Sequence, residues 1–395
     1  MTDRPMTEKP KVSPFYDPKI RGWVFQGLLL AALGWLTYNG VSNAVTNMAA
    51  RGIPTGMGFW NNIAGFDVNQ TLIPYSAAGS TYGQAFLVGL LNTLLVAVIG
   101  VVLATFVGFT IGVARLSKNW IVAKLAMVYV ETLRNIPLLL QLLFWYNAVL
   151  KPLPNPKQSI ELPGSIFLNN RGLIMPNPQF GDGAGLIGWG LLAAAAGSIF
   201  YARHARKKQA ETGEQSPVFL VSLGLLIGLP LIAYLVTGRP VSFTYPELKG
   251  FNYTGGLQIY PEFVALLLGL VLYTGAFIAE IVRAGIMSVS HGQSEAANAL
   301  GLRAAPTLKL VVIPQALRVI IPPLTSQYLN LTKNSSLAVF IGYPDLVQVF
   351  TGTVLNQTGA AVQVVGITMA VYLTISLATS FVMNIYNARK ALVER

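Results

Sequence analysis

The sequence contains no cysteine and few charged residues. Of its 395 residues, 11% are charged, 53% are hydrophobic and two are histidines. Without cysteine there can be no disulfide, thiolate nucleophile or Cys-based metal site. About 25% of the residues in an average soluble domain are charged, so this chain has fewer than half the usual share. The composition therefore excludes an ordinary soluble domain and indicates a membrane protein.

Signatures of catalysis are also missing from the sequence. There is no G-x-x-x-x-G-K-[ST] segment, so the chain cannot hydrolyse ATP alone. Neither His204 nor His291 has a metal-ligand partner nearby in the sequence, and we expect no metal and no cofactor. An intramembrane enzyme would need a nucleophile with a base, or a metal cluster, and the two isolated histidines argue against that class.

Long apolar segments dominate the chain, and a run of about 20 residues is enough to cross a bilayer. Seven are clear, at about 23–45, 84–114, 122–150, 184–202, 217–237, 261–287 and 363–386. An eighth, at about 319–350, is ambiguous in hydropathy because it contains Pro322, Pro323, Lys333, Pro344 and Asp345. The sequence thus predicts an all-α, polytopic membrane protein with about eight transmembrane helices.

The positive charges are distributed unevenly along the predicted topology. The net charge is +12, and 19 of the 27 Lys and Arg residues fall in segments predicted to be cytoplasmic, against 6 in outer loops. This asymmetry is typical of membrane topology and explains the basic composition without nucleic acid. Eight spans and a cytoplasmic N-terminus place both termini in the cytoplasm.

The predicted spans divide the chain into three regions. Residues 1–22 form a polar cytoplasmic tail, and 23–82 hold an extra N-terminal span with a periplasmic loop. Residues 83–389 form the main transmembrane domain, which contains an inserted two-span region at about 151–260. The six prolines of 151–183 favour turns and extended segments over a packed domain.

Residues 288–314 have the pattern of a helix–turn–helix between two apolar segments. Ser290 and Gln293 are spaced as a capping box at a helix start. Gly301 stops this helix, because a left-handed residue is least costly as glycine. A second short helix begins near Pro306, and Pro314 ends or kinks it. We interpret this segment as a docking surface for a soluble partner.

The same segment resembles the EAA loop of permeases of binding-protein-dependent ABC importers, and we call residues 288–314 the EAA loop. The family pattern is Glu-Ala-Ala, three residues, Gly, nine residues, an aliphatic residue, one residue, then an apolar residue and Pro. Here it is matched by Glu295, Ala296, Ala297, Gly301, Val311, Ile313 and Pro314. The resemblance implies a type I ABC importer permease core whose EAA loop fits a groove on the ATP-binding subunit, with Gly301 allowing the turn.

The flanking segments resemble one subgroup of that family. Residues 131–146, 277–289 and 314–337 are similar to histidine and glutamine permeases, and the eight-span layout resembles the Q-type subunits of general L-amino-acid permeases. The resemblance implies amino-acid import across the bacterial inner membrane. It also implies an ATP-binding subunit, a periplasmic amino-acid-binding protein and a second permease that is a paralogue or a copy.

An ion-coupled secondary amino-acid transporter is the alternative function. Such a protein would need an ion site and usually an inverted repeat, and the sequence shows no repeat. The alternative would also leave the EAA loop unexplained.

Polar residues in the apolar segments are the candidates for a substrate path. Glu280 is the first candidate, since its carboxylate can meet an amino group, and Glu131 is a further carboxylate. Gln327, Asn330 and Asn334 share one helical face. A structural ion pair of Glu280 with Arg283 or Arg134, and interhelical hydrogen bonds for the three amides, remain open alternatives.

Overall fold

The computed structural model of the protein describes residues 18–54 and 56–390. Most of the predicted cytoplasmic tail, and Arg395 at the other end, lie outside the described residues. The first helix begins at Pro18, so the last residues of the predicted tail are already helical.

The described chain is mainly helical. Its α-helices are α1 Pro18–Ala50, α2 Tyr82–Ala114, α3 Trp120–Asn135, α4 Leu138–Leu143, α5 Gly185–Thr212, α6 Val218–Val236, α7 Pro261–Met287, α8 His291–Ala299, α9 Ala304–Thr307, α10 Ile313–Asn334, α11 Leu355–Thr358 and α12 Ala361–Lys390. Three π-helical segments follow α4, α9 and Leu346, at Phe144–Leu150, Leu308–Val312 and Val347–Val354. Short 3-10 helices cover Gly58–Asn61, Pro156–Gln158 and Ser335–Ile341.

The membrane spans agree in number with the sequence prediction. Within the described residues, seven helical stretches are long and apolar enough to cross a membrane, and a bent pair brings the number to eight if it counts as one span. The ambiguous eighth segment is among the seven, although its helix runs over 304–341 and not over 319–350. The predicted all-α membrane fold is confirmed.

The predicted span at 122–150 is bent. It divides into α3 and a second part at 138–150, with an angle of 106° between them. Ile136 is extended, at φ −96° and ψ 127°, because the ring of Pro137 disfavours the helical region for the preceding residue. Pro137 also has no N–H to continue the hydrogen-bond ladder of α3.

Short strands occupy the loops on both sides of the inserted helix pair. They are β1 Ile160–Leu162, β2 Ile166–Asn169, β3 Gly172–Met175, β4 Asn177–Phe180, β5 Val241–Thr244, β6 Glu247–Lys249, β7 Asn252–Thr254 and β8 Leu257–Ile259. All pairs are antiparallel, in a four-stranded sheet of order β1-β2-β3-β8 and two-stranded sheets of β4-β5 and β6-β7. The sequence predicted extended segments here but not their pairing.

One strand pair joins the two ends of the inserted helix pair. β4 precedes α5 and pairs with β5, which follows α6, so Phe180 lies opposite Val241. The two helices approach closely, since a Cβ on Gly190 would lie 3.2 Å from the carbonyl oxygen of Leu229. Small residues at such contacts are typical of helix packing in membranes.

The chain divides into two compact units. The first comprises Met1–Leu94 and Pro344–Val382. In it, Asn92 donates to the carbonyl oxygen of Pro344 at 2.9 Å, and the Leu346 N–H donates to Thr93 Oγ1 at 3.0 Å. Asp345 is fully buried and accepts from the Gln348 N–H at 2.8 Å. These bonds hold the segment that begins at Pro344 against the start of α2.

The second unit comprises Leu95–Tyr343 and Met383–Arg395, and α7 lies at its centre. This helix packs against α3, α4 and α10. The closest approaches occur at glycines, where the Cβ of any other residue would collide with the neighbouring helix. Such a Cβ on Gly108 would lie 2.4 Å from Ile278. One on Gly269 would lie 2.4 Å from Leu142, and one on Gly285 would lie 2.3 Å from Ile320. The candidate site residues are therefore set on helices that are tightly packed around α7.

Candidate functional site

Gly301 forms the turn of the EAA loop. α8 ends at Ala299, and Gly301 has a left-handed φ of 76°. The Gly301 N–H donates to the carbonyl oxygen of Asn298 at 2.9 Å, and the Leu302 N–H donates to that of Ala297 at 3.1 Å. These two bonds make a Schellman motif, which satisfies the free carbonyls at the helix end. The prediction that Gly301 stops this helix is confirmed.

Two details of the EAA loop differ from the prediction. Ser290 is the N-cap of α8, but its side chain makes no capping hydrogen bond, and Gln293 Oε1 instead accepts from Gln315 at 3.2 Å. Pro314 does not end the second helix, which continues from α9 into α10. The other predicted outcome, a kink at Pro314, stays a prediction. The π-helical segment Leu308–Val312 lies directly before Pro314. Its wider hydrogen-bond pattern accommodates a residue that cannot donate to the preceding turn.

The EAA loop presents exposed apolar side chains. Ala297 is the buried residue of α8, whereas Ala296 is exposed and the side chain of Glu295 is 69% exposed. Leu300, next to Gly301, is 82% exposed, and Leu310 is 64% exposed. Glu295 pairs with His291 at 3.0 Å along the helix surface.

Glu280 lies in a group of charged side chains that we call the Glu280 cluster. Its members are Glu131, Glu280, Arg115, Arg134 and Arg283. Glu280 Oε2 accepts a short hydrogen bond from Arg115 Nη1 and lies 3.9 Å from Arg134 Nη1. Glu280 Oε1 accepts from Arg283 Nη2 at 2.5 Å. The side chain is 26% exposed, so water screens these pairs only in part.

The contacts favour the ion-pair alternative for Glu280. A substrate ammonium would have to displace an arginine from this carboxylate. Glu131 is 61% exposed and lies 3.9 Å from Arg115. Arg115 was missed as a partner because it lies 165 positions from Glu280, and its charge at a helix end was assigned to topology alone.

The substitution Glu280→Gln separates the two roles of this residue. Removing the carboxylate leaves three arginines together, and we expect the free energy of unfolding to fall by roughly 1.5–3 kcal/mol, the range for hydrogen bonds to charged groups. Unfolding of the purified chain in detergent measures this. In a double-mutant cycle, Glu280→Gln with Arg283→Gln should cost less than the sum of the single changes. Unchanged stability together with lost uptake would contradict the ion-pair role and favour contact with substrate.

The three predicted amides lie on α10 together with Lys333. Gln327, Asn330, Lys333 and Asn334 fall within about a third of the helix circumference, and we call them the polar face of α10. Asn330 and Lys333 are exposed, and the other two are half-buried. In the part of the chain that the structure describes, none of these side chains forms a hydrogen bond or ion pair. The amides are therefore not bonded to Glu280, whose carboxylate is held by arginines.

The comparisons with known proteins identify the family. The sequence model of the family described as "Binding-protein-dependent transport system inner membrane component" matches residues 216–391. The chain is 51% identical to the general L-amino acid transport system permease protein AapQ of Rhizobium johnstonii, over 97% of this chain and 95% of that protein. It is 44% identical to the glutamate/glutamine/aspartate/asparagine transport system permease protein BztB of Rhodobacter capsulatus, over 96% of each. A crystal structure of an amino acid ABC transporter with histidines is similar at a TM-score of 0.46 and 21% identity, over 78% of this chain and 95% of that one.

The chain therefore belongs to the family of amino-acid ABC transporter permeases. It is a membrane-embedded permease subunit and not an enzyme, and ATP hydrolysis is done by the separate ATPase of the importer. The family predicted from the EAA loop and its flanks is confirmed, and the ion-coupled alternative has no support from these relatives. Membership implies an ATPase, a binding protein and a second permease as partners.

Proposed function

We propose that this chain forms half of the membrane path of an ATP-driven importer of polar L-amino acids in the bacterial inner membrane. The substrate class rests on its likeness to AapQ and BztB, whose names specify general L-amino acids and glutamate, glutamine, aspartate and asparagine. The observation that carries the proposal is the EAA loop, with the Schellman turn at Gly301 and the exposed Leu300 beside it.

The EAA loop is the contact with the ATPase in this account. Glu295, Ala296, Ala297, Gly301 and Pro314 carry the family pattern. α8 is anchored through Ala297 and leaves its other face open. Because the π-helical segment connects α9 to α10 without a break, a force on the EAA loop acts directly on the helix that carries the polar face.

Both termini are assigned to the cytoplasm, with eight spans, on the asymmetry of Lys and Arg. In this arrangement the inserted region at 151–260 adds two spans, and its strands lie on the periplasmic side. The extra spans favour a paralogue over a copy of this chain as the second permease. The three regions at 1–22, 23–82 and 83–389 are part of this proposal.

The polar face of α10 is proposed to line the substrate path. Lys333 lies in the last turn of α10, inside the apolar stretch 304–341. A charge inside a membrane span is costly, so a lysine there is expected to face a path or a partner. Amino-acid substrates carry a carboxylate, which the Lys333 ammonium and the amide N–H groups of Asn330 and Asn334 can meet. The ammonium of the substrate requires an acceptor, which the side-chain oxygens of Gln327 and the asparagines supply.

The substitution Lys333→Met tests this path. Loss of one charge-assisted hydrogen bond to the substrate carboxylate corresponds to roughly 1.5–3 kcal/mol, or about 10- to 150-fold. We expect uptake of radiolabelled amino acid at low concentration to fall by at least about tenfold, while membrane insertion of the apolar variant is retained. Lys118→Met is the matched control, because Lys118 is exposed outside the spans. Normal uptake in Lys333→Met with a defect in permease pairing would instead assign Lys333 to the second subunit.

A further inference from the structure

A cavity in the second unit lies where three helices end or begin. It has a volume of about 380 Å³ and is lined by the two residues that follow α2, the first two turns of α3 and Arg283 near the end of α7. This volume is within the range of about 300–1,000 Å³ for small-ligand sites. The cavity is separate from the polar face of α10, none of whose residues lines it.

The lining of the cavity is basic. Arg115, Lys124 and Arg283 line it, and no acidic side chain does. Arg115 and Arg283 are fixed in position because both donate to Glu280, and Arg115 also lies 3.9 Å from Glu131. With Arg134 counted, the three arginines of this cluster exceed its two carboxylates by one charge. Lys124 is exposed and has no ion-pair partner within residues 18–54 and 56–390. The site therefore holds oriented guanidinium groups and an unpaired ammonium, which can donate hydrogen bonds to the oxygens of a phosphate group.

The surface beside the cavity is apolar. Trp120, Ala123, Lys124 and Met127 face the cavity at helical spacing on α3. The neighbouring face of the same helix exposes Ile121 at 60%, Leu125 at 66% and Val128 at 50%. Trp120 is 74% exposed at the first position of the helix, and tryptophan is enriched at membrane–water interfaces.

We propose that this cavity binds the phosphate of an anionic phospholipid, with its acyl chains along the exposed face of α3. Two ligands share the chemistry that these cations would recognise, namely the phosphate ester of a lipid and free inorganic phosphate. The apolar face directly beside the cations favours the lipid, because acyl chains can lie along that face while the cations hold the phosphate. Basic pockets between transmembrane helices are suited to lipid headgroups.

Native mass spectrometry of the full chain measures lipid binding directly. The chain is titrated with phosphatidylglycerol, with zwitterionic phosphatidylcholine, and with phosphatidylglycerol in the presence of excess inorganic phosphate. Lys124→Gln removes the one cation of the site that has no structural ion pair. Lys118→Gln is the matched control, because Lys118 is also exposed and near the start of α3 but does not line the cavity.

We expect the unchanged chain to bind phosphatidylglycerol in preference to phosphatidylcholine. Lys124→Gln should weaken this binding by about tenfold, as expected for one charge-assisted contact, whereas Lys118→Gln should not. An equal loss of phosphatidylglycerol binding in both variants, or no loss in Lys124→Gln, would overturn the proposal that this cavity is the binding site. Full displacement of the lipid by inorganic phosphate would overturn the assignment to a lipid and leave a free anion as the ligand.

Discussion

Replacement of Gly301 by valine is expected to uncouple the permease from its ATPase while membrane insertion continues. Gly301 is left-handed, at φ 76°, and a residue with a Cβ costs roughly 1–2 kcal/mol there. That cost lowers the population of the native turn by about 5- to 30-fold. Valine is branched at Cβ and is among the residues least suited to positive φ. We expect co-purification of the ATPase and ATP-driven uptake to fall together.

The structure supplies a matched control for this change. No atom lies within 4 Å of a Cβ built on Gly301, so a side chain is not excluded by contact. Asparagine tolerates the left-handed region better than other non-glycine residues. Gly301→Asn should therefore retain most ATPase binding. If Gly301→Val also retained full binding and uptake, the EAA loop would not be the coupling element.

Most membrane spans were predictable because they depend on continuous apolar runs. The turn at Gly301 was predictable for a different reason, since the conformation it requires is local. Lys333 made the span that contains α10 ambiguous in hydropathy, and it is the same residue that now marks the polar face. In that segment the residue that departs from the apolar pattern is the one proposed to meet the substrate.

Features that join distant parts of the chain were not predictable from the sequence. Leu173 of β3 lies opposite Ile259 of β8, and strands of three or four residues give no periodic signal. The pairing of Arg115 with Glu280 depends on how α2 packs against α7. The bend after α3 was hidden for another reason: 122–150 is apolar on average, although it contains Lys124, Glu131 and Arg134. Mean hydropathy does not distinguish a straight helix from one broken at Pro137.

Uptake by reconstituted components is the most direct test that this chain is the permease of an ATP-driven importer. Proteoliposomes would contain this chain, the second permease and the ATP-binding subunit, with the amino-acid-binding protein and radiolabelled amino acid added. We expect uptake only when all four proteins and ATP are present, with loss to background when any one is omitted, because the chain has no nucleotide-binding motif of its own. Uptake by this chain alone, driven by an ion gradient without ATP, would contradict the account.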